Sequence, residues 1–146
     1  MDSMKQFKRA TRWAILWAAV TGLLGCTTAS VDNSIKVTLS GSQEVPPVTT
    51  SASGTGTIVV GADKSVSGSV TTTGVAGSAA HIHIGAAGKN GPVIIPLTKT
   101  ADNVWSVPAS AKLTDAQYES YKSGGLYVNV HSAANKGGEV RGQLNP

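Results

Sequence analysis

The chain carries three histidines, and each falls in a segment whose alternation reads as a β-strand. In Ala79-Ala80-His81-Ile82-His83-Ile84, successive side chains of an extended backbone point to opposite faces. Ala80, Ile82 and Ile84 then share one face, and His81 and His83 share the other. In Leu126-Tyr127-Val128-Asn129-Val130-His131 the aliphatic face is Leu126, Val128 and Val130, so Tyr127, Asn129 and His131 point away from it. Two imidazoles at i, i+2 on one strand, with a third from another strand, can bind a single ion. Imidazole suits copper, zinc, nickel and iron. The alternative is three surface histidines, solvated or hydrogen-bonded, that fix neighbouring loops. In Glu139-Val140-Arg141-Gly142-Gln143-Leu144 the alternation sends Val140 and Leu144 inward and Glu139, Arg141 and Gln143 outward. Ser132–Gly138 connects these last two strands as a seven-residue hairpin loop. With the His81/His83 strand alongside, three imidazoles, a carboxylate and a guanidinium would gather on one exterior polar patch.

Such a patch needs a sheet to carry it. Short runs rich in Val, Ile and Thr recur along the chain: around 35–39, 55–60, 65–72, 78–84, 92–97, 103–107, 126–131 and 139–144. Gly, Pro, Asn and Asp separate them. About eight strands at this spacing, without βα alternation, predict an all-β fold: an antiparallel Greek-key sandwich or barrel. One short helix is predicted. Thr114-Asp115-Ala116-Gln117 is a capping box, and Gly124-Gly125 stops the helix after Lys122. Tyr118 and Tyr121 lie three apart on its face and seat it on the sheet. Trp105 is assigned to the core, and Gly85–Gly91 is assigned to a turn. Val45 precedes Pro46-Pro47, so Val45 and Pro46 are expected to prolong the edge of the first strand and protect it from further pairing. Glu44 beside them is an added partner for the metal or for Arg141, or a solvated edge carboxylate.

The first 25 residues read differently. Lys5, Lys8, Arg9 and Arg12 precede an apolar run over Trp13–Leu24. That run is shorter than the roughly 20 residues a membrane span needs, and it fits the apolar region of a secretory signal peptide. It ends in Leu23-Leu24-Gly25-Cys26. Residues 1–25 are read as a signal segment, 26–34 as a tether and 35–146 as the domain. Beyond residue 25 the balance is 8 Lys+Arg against 7 Asp+Glu, so the formal charge of +4 falls to +1. A near-neutral domain behind an export signal excludes nucleic acid as its partner. The part beyond residue 25 keeps no methionine, and its one cysteine is Cys26, so no further sulfur ligand competes for a soft metal. No serine has the setting of a nucleophile, and no close carboxylate pair suits glycoside chemistry.

Four segments resemble the CHRD domain, the module named after chordin and also found in bacterial secreted proteins. They are Leu39-Ser40-Gly41-Ser42-Gln43-Glu44-Val45-Pro46-Pro47-Val48; His81-Ile82-His83-Ile84-Gly85 with Asn90-Gly91-Pro92-Val93; Tyr127-Val128-Asn129-Val130-His131; and Gly138-Glu139-Val140-Arg141-Gly142-Gln143-Leu144. Lys136 stands where many members have proline. The resemblance implies a fold and no settled activity. Leu23-Leu24-Gly25-Cys26 resembles the bacterial lipobox, which implies acylation of Cys26 and anchoring to a membrane of the cell envelope. With Thr27 rather than Asp after the cysteine, the outer membrane is expected. A weaker resemblance links His81-Ile82-His83-Ile84-Gly85, His131 and Arg141 to copper/zinc superoxide dismutase, in which such histidines bind copper and such an arginine attracts the anion. The fourth bridging histidine, the zinc-loop ligands and the disulfide are missing here.

The sequence therefore predicts a non-catalytic, lipid-anchored envelope module acting by binding. One copper or zinc ion is expected on His81, His83 and His131, with Arg141, Glu139 and Glu44 supporting it or facing an anion. Its partners are the membrane and an envelope or extracellular protein. The competing readings are a copper-dependent oxidoreductase of dismutase type and a purely structural or adhesive surface domain.

Overall fold

The structure, a computed structural model, describes residues 33–146. The signal segment, Cys26 and nearly all of the tether lie outside the described residues. Nine antiparallel strands form one sheet that rolls into a nearly closed barrel. They are β1 (Ser34–Ser40), β2 (Ser53–Val60), β3 (Val66–Thr73), β4 (Gly77–Ile84), β5 (Val93–Pro96), β6 (Thr98–Ala101), β7 (Val104–Ser106), β8 (Leu126–Ser132) and β9 (Val140–Leu144). Their order in the sheet is β5-β4-β8-β9-β1-β2-β3-β7-β6. The two edge strands, β5 and β6, are separated in sequence by Leu97 alone. Leu97 donates its N–H to Ala80 O at 2.9 Å, so the chain crosses the gap between the sheet's two ends.

Alternation builds the core. Leu39, Ile58, Val70, Ile82, Val128 and Val140 face the interior and are fully or almost fully buried, and Trp105 lies among them as expected. Strands of Val, Ile and Thr pack well on a pleated surface, and each inward side chain leaves water for an apolar neighbour. The helix α1 (Asp115–Lys122) has the predicted capping box: Thr114 Oγ1 accepts from Gln117 N, and Gln117 Oε1 accepts from Thr114 N. Lys64 pairs with Asp115 at its first turn. Tyr121 is buried against the core with Tyr118 stacked beside it, which seats the helix as predicted.

The sequence reading misses one strand, and one of its expectations needs correction. Thr98–Ala101, between the runs at 92–97 and 103–107, is a further strand, all of it exposed. Its sequence, TKTA, has no apolar side to announce it. Val45 and Pro46 do not prolong the first strand. That strand ends at Ser40, a 3-10 turn over Gly41–Gln43 follows, and both Glu44 N and Val48 N donate to Gly41 O. The chain thereby folds back over the sheet instead of running on along its edge.

Candidate metal centre

The site lies on the outer face of β4, β8 and β9. Their register sets His83 opposite Tyr127 and His81 opposite Asn129. Tyr127 lies opposite Gln143, Asn129 opposite Arg141, and Ala79 opposite His131. His81 and His131 are thus diagonal neighbours across one strand pair, within reach for long side chains on the same face. The structure brings the three imidazoles together: each offers a nitrogen, and the three nitrogens lie within 4.8 Å of one another. The closest pair is His81 Nδ1 and His131 Nε2, 3.0 Å apart.

The exterior patch is not an open surface. Tyr127, Asn129 and Arg141 point away from the aliphatic core, yet each is at most 2 % exposed, and Glu44 is only 4 % exposed. The folded-back chain after β1 and the loop over Gly85–Gly91 roof this part of the sheet. The two coverings are joined, because Asn90 Nδ2 donates to Val45 O at 2.7 Å. Glu44 is therefore neither a solvated edge carboxylate nor one of the three clustered ligands.

Arg141 holds the roof down. Its guanidinium donates to Ala86 O (3.2 Å), Lys89 O (2.8 Å) and Asn90 Oδ1 (3.3 Å), and its Cζ sits 3.4 Å from the centre of the Tyr127 ring. Tyr127 in turn stacks on His83, with ring centres 4.7 Å apart and planes 7° from parallel. Held this way, the loop presents Gly91 O to His83 Nδ1 at 2.8 Å. Tyr127 Oη also accepts from Gly91 N at 3.3 Å. Arg141 thus works through the loop and the tyrosine and is spent on protein groups rather than turned toward an anion.

The turn after β8 does the same for the third histidine. Lys136 O takes His131 Nδ1 at 2.8 Å. Asn129 braces this turn from beneath, donating to Gly137 O at 3.4 Å, and Glu44 lies against Gly138. Gly138 has φ +130°, and a Cβ there would stand 2.3 Å from Glu44 Oε1, so only glycine fits. Glu139 sits apart from the imidazoles. Thr50 Oγ1 donates to its Oε1 at 2.9 Å, and hydrogen bonding, from Ser132 first, holds its carboxyl below the usual range. Tyr127, Asn129 and Asn90 received no role from sequence. For the first two the signal was their alternation with His131 on one face.

A carbonyl can only accept, so Nδ1 of His83 and of His131 carries the hydrogen and Nε2 of each presents a lone pair. His83 Nε2 is buried and makes no hydrogen bond of good geometry, although the Asn129 side chain lies close enough to act on the ring. His81 Nδ1 donates to His131 Nε2, and an ion replacing that proton would meet both nitrogens. Zinc–nitrogen bonds of about 2.0–2.1 Å set tetrahedral ligands roughly 3.3 Å apart. The His81–His131 pair at 3.0 Å is already close to that spacing, and separations of up to 4.8 Å to the third nitrogen must close by up to about 1.5 Å. Burial holds His81 and His83 below the ordinary histidine value; neighbouring imidazoles, and at His83 the Arg141 charge, add to this, and the Gly91 bond and the Asn129 amide oppose it at His83. Both rings are therefore held neutral, and His81 can bind through Nδ1 once its hydrogen moves to Nε2.

The CHRD domain matches residues 35–144. The chain belongs to the CHRD family. That match spans β2 to β9 and all of β1 but its first residue, and it includes the three histidines, Glu44 and Arg141. No curated protein and no solved structure matches the chain.

Burial pushes the Glu44 carboxyl from 4.5 up to about 7, against the pull of the Arg141 charge and the Asn129 amide. A raised value stabilises the fold fully below pH 4.5, and this contribution is lost as pH rises through about 7. Glu44→Gln, which stays neutral, should match wild type at pH 4.5 and exceed its stability above pH 7 by on the order of 2 kcal/mol. Denaturant unfolding of both proteins across that range measures it. A stability difference that does not change with pH would mean that the carboxyl is not displaced.

Proposed function

We propose that this CHRD protein is a lipid-anchored module of the bacterial cell envelope that acts by binding, not by catalysis, and holds one copper or zinc ion on His81, His83 and His131. The observation that carries the metal reading is the convergence of three imidazole nitrogens, one each from His81, His83 and His131, within 4.8 Å. Two of the three imidazoles are oriented by backbone carbonyls, the outer contact that metal-binding histidines usually have. Support for the anchor comes from sequence: the basic and apolar residues before Leu23-Leu24-Gly25-Cys26. Lipid chains on Cys26 would hold the domain at a bilayer, the outer membrane by the residue that follows, while the barrel faces an envelope or extracellular partner.

Elemental analysis of the full chain after gentle purification should find copper or zinc in stoichiometric amount. His83→Ala should weaken binding by more than the roughly 10–100-fold that loss of an outer-shell partner costs. Wild type retaining no more metal than a variant with all three histidines replaced by alanine would refute the metal site and leave the structural or adhesive reading. For the anchor, Cys26→Ala should move the protein from the membrane fraction to the soluble fraction and abolish incorporation of labelled palmitate. Unchanged fractionation and labelling would refute acylation at Cys26.

A further inference from the structure

The ligand set offers an ion three imidazoles and no negative charge. Among the described residues no carboxylate joins the cluster. The nearby acids are occupied elsewhere: Glu139 with Thr50, Ser132 and Asn135, and Glu44 beneath the roof against Gly138 and Asn129. The Tyr127 hydroxyl is taken up by the Gly91 backbone, accepting from its N–H and donating to its carbonyl. A tetrahedral ion needs four donors, and a site with three protein ligands keeps its fourth position for a water or an outside molecule. His83 is buried, but His81 and His131 are each partly exposed, so the ion would have one side in protein and one toward solvent.

Resting on the metal reading above, we propose that the ion on His81, His83 and His131 takes a small coordinating anion from solution as its fourth ligand. Neutral donors leave the ion its full charge, and this charge selects an anion over a neutral molecule. Arg141 takes no part in the recognition, because its guanidinium is buried and bonded to the 86–90 stretch of the loop. The anion is recognised by the ion itself.

The test is azide titration of the full chain loaded with Cu(II), followed by visible absorption and electron paramagnetic resonance. The expected result is a saturable charge-transfer band with a shifted copper signal, at one azide per copper. Metal-free protein, and protein with all three histidines replaced by alanine, should show neither. Copper bound stoichiometrically with no response to azide would overturn the open position while leaving the metal site standing. Failure of wild type to hold copper above the triple-alanine level, with the same failure for zinc, would overturn both.

Discussion

Gly91 and Lys136 each give a backbone carbonyl to an imidazole Nδ1–H, and the chemistry of the outer sheet face follows from those two bonds. They turn the remaining nitrogens of His83 and His131 toward the same point that His81 reaches. A strand pair alone would bring the rings to one face without fixing which atom each ring presents. The loops fix it, so the loops must themselves be held.

Each loop is held by a polar side chain buried beneath it. Arg141 fastens the loop that carries Gly91, and Asn129, with Glu44 alongside, braces the turn that carries Lys136. Burying a guanidinium is costly unless its N–H groups find acceptors. Here carbonyl and amide oxygens supply them, and the face of Tyr127 adds a cation–π contact worth about 0.5–2 kcal/mol. Among the described residues no salt bridge joins Glu44 to Arg141, so the arginine's charge acts on the carboxyl from a distance. This explains why burial prevails and the Glu44 carboxyl moves up rather than down.

The inward and outward faces of β4, β8 and β9 were legible from period-two alternation, but the pairing of β4 with β8 that brings His81 and His83 to His131 was only assumed from sequence and is supplied by the fold. The capping box likewise marked the helix. The roof was not legible. Gly85–Gly91 has the composition of an ordinary turn, and nothing in Gly, Ala, Lys and Asn says that the turn folds onto an arginine some fifty residues away. Alternation tells which way Arg141 points but not what lies above it. The strand-edge setting expected around Glu44 failed for a related reason, while its interaction with the Arg141 charge is present. The constraint from Val45-Pro46 describes local backbone, whereas the 3-10 turn before it sends the segment across the sheet. The strand at Thr98–Ala101 stayed hidden because both of its faces are polar.

Nitrogen-15 NMR of the imidazole rings, recorded before and after addition of zinc, tests the central claim most directly. The account predicts that metal-free His83 and His131 both carry hydrogen on Nδ1, and that zinc moves the Nε2 resonances of these two rings together with a His81 nitrogen. Hydrogen on Nε2 of either ring, or ring signals indifferent to zinc, would contradict it.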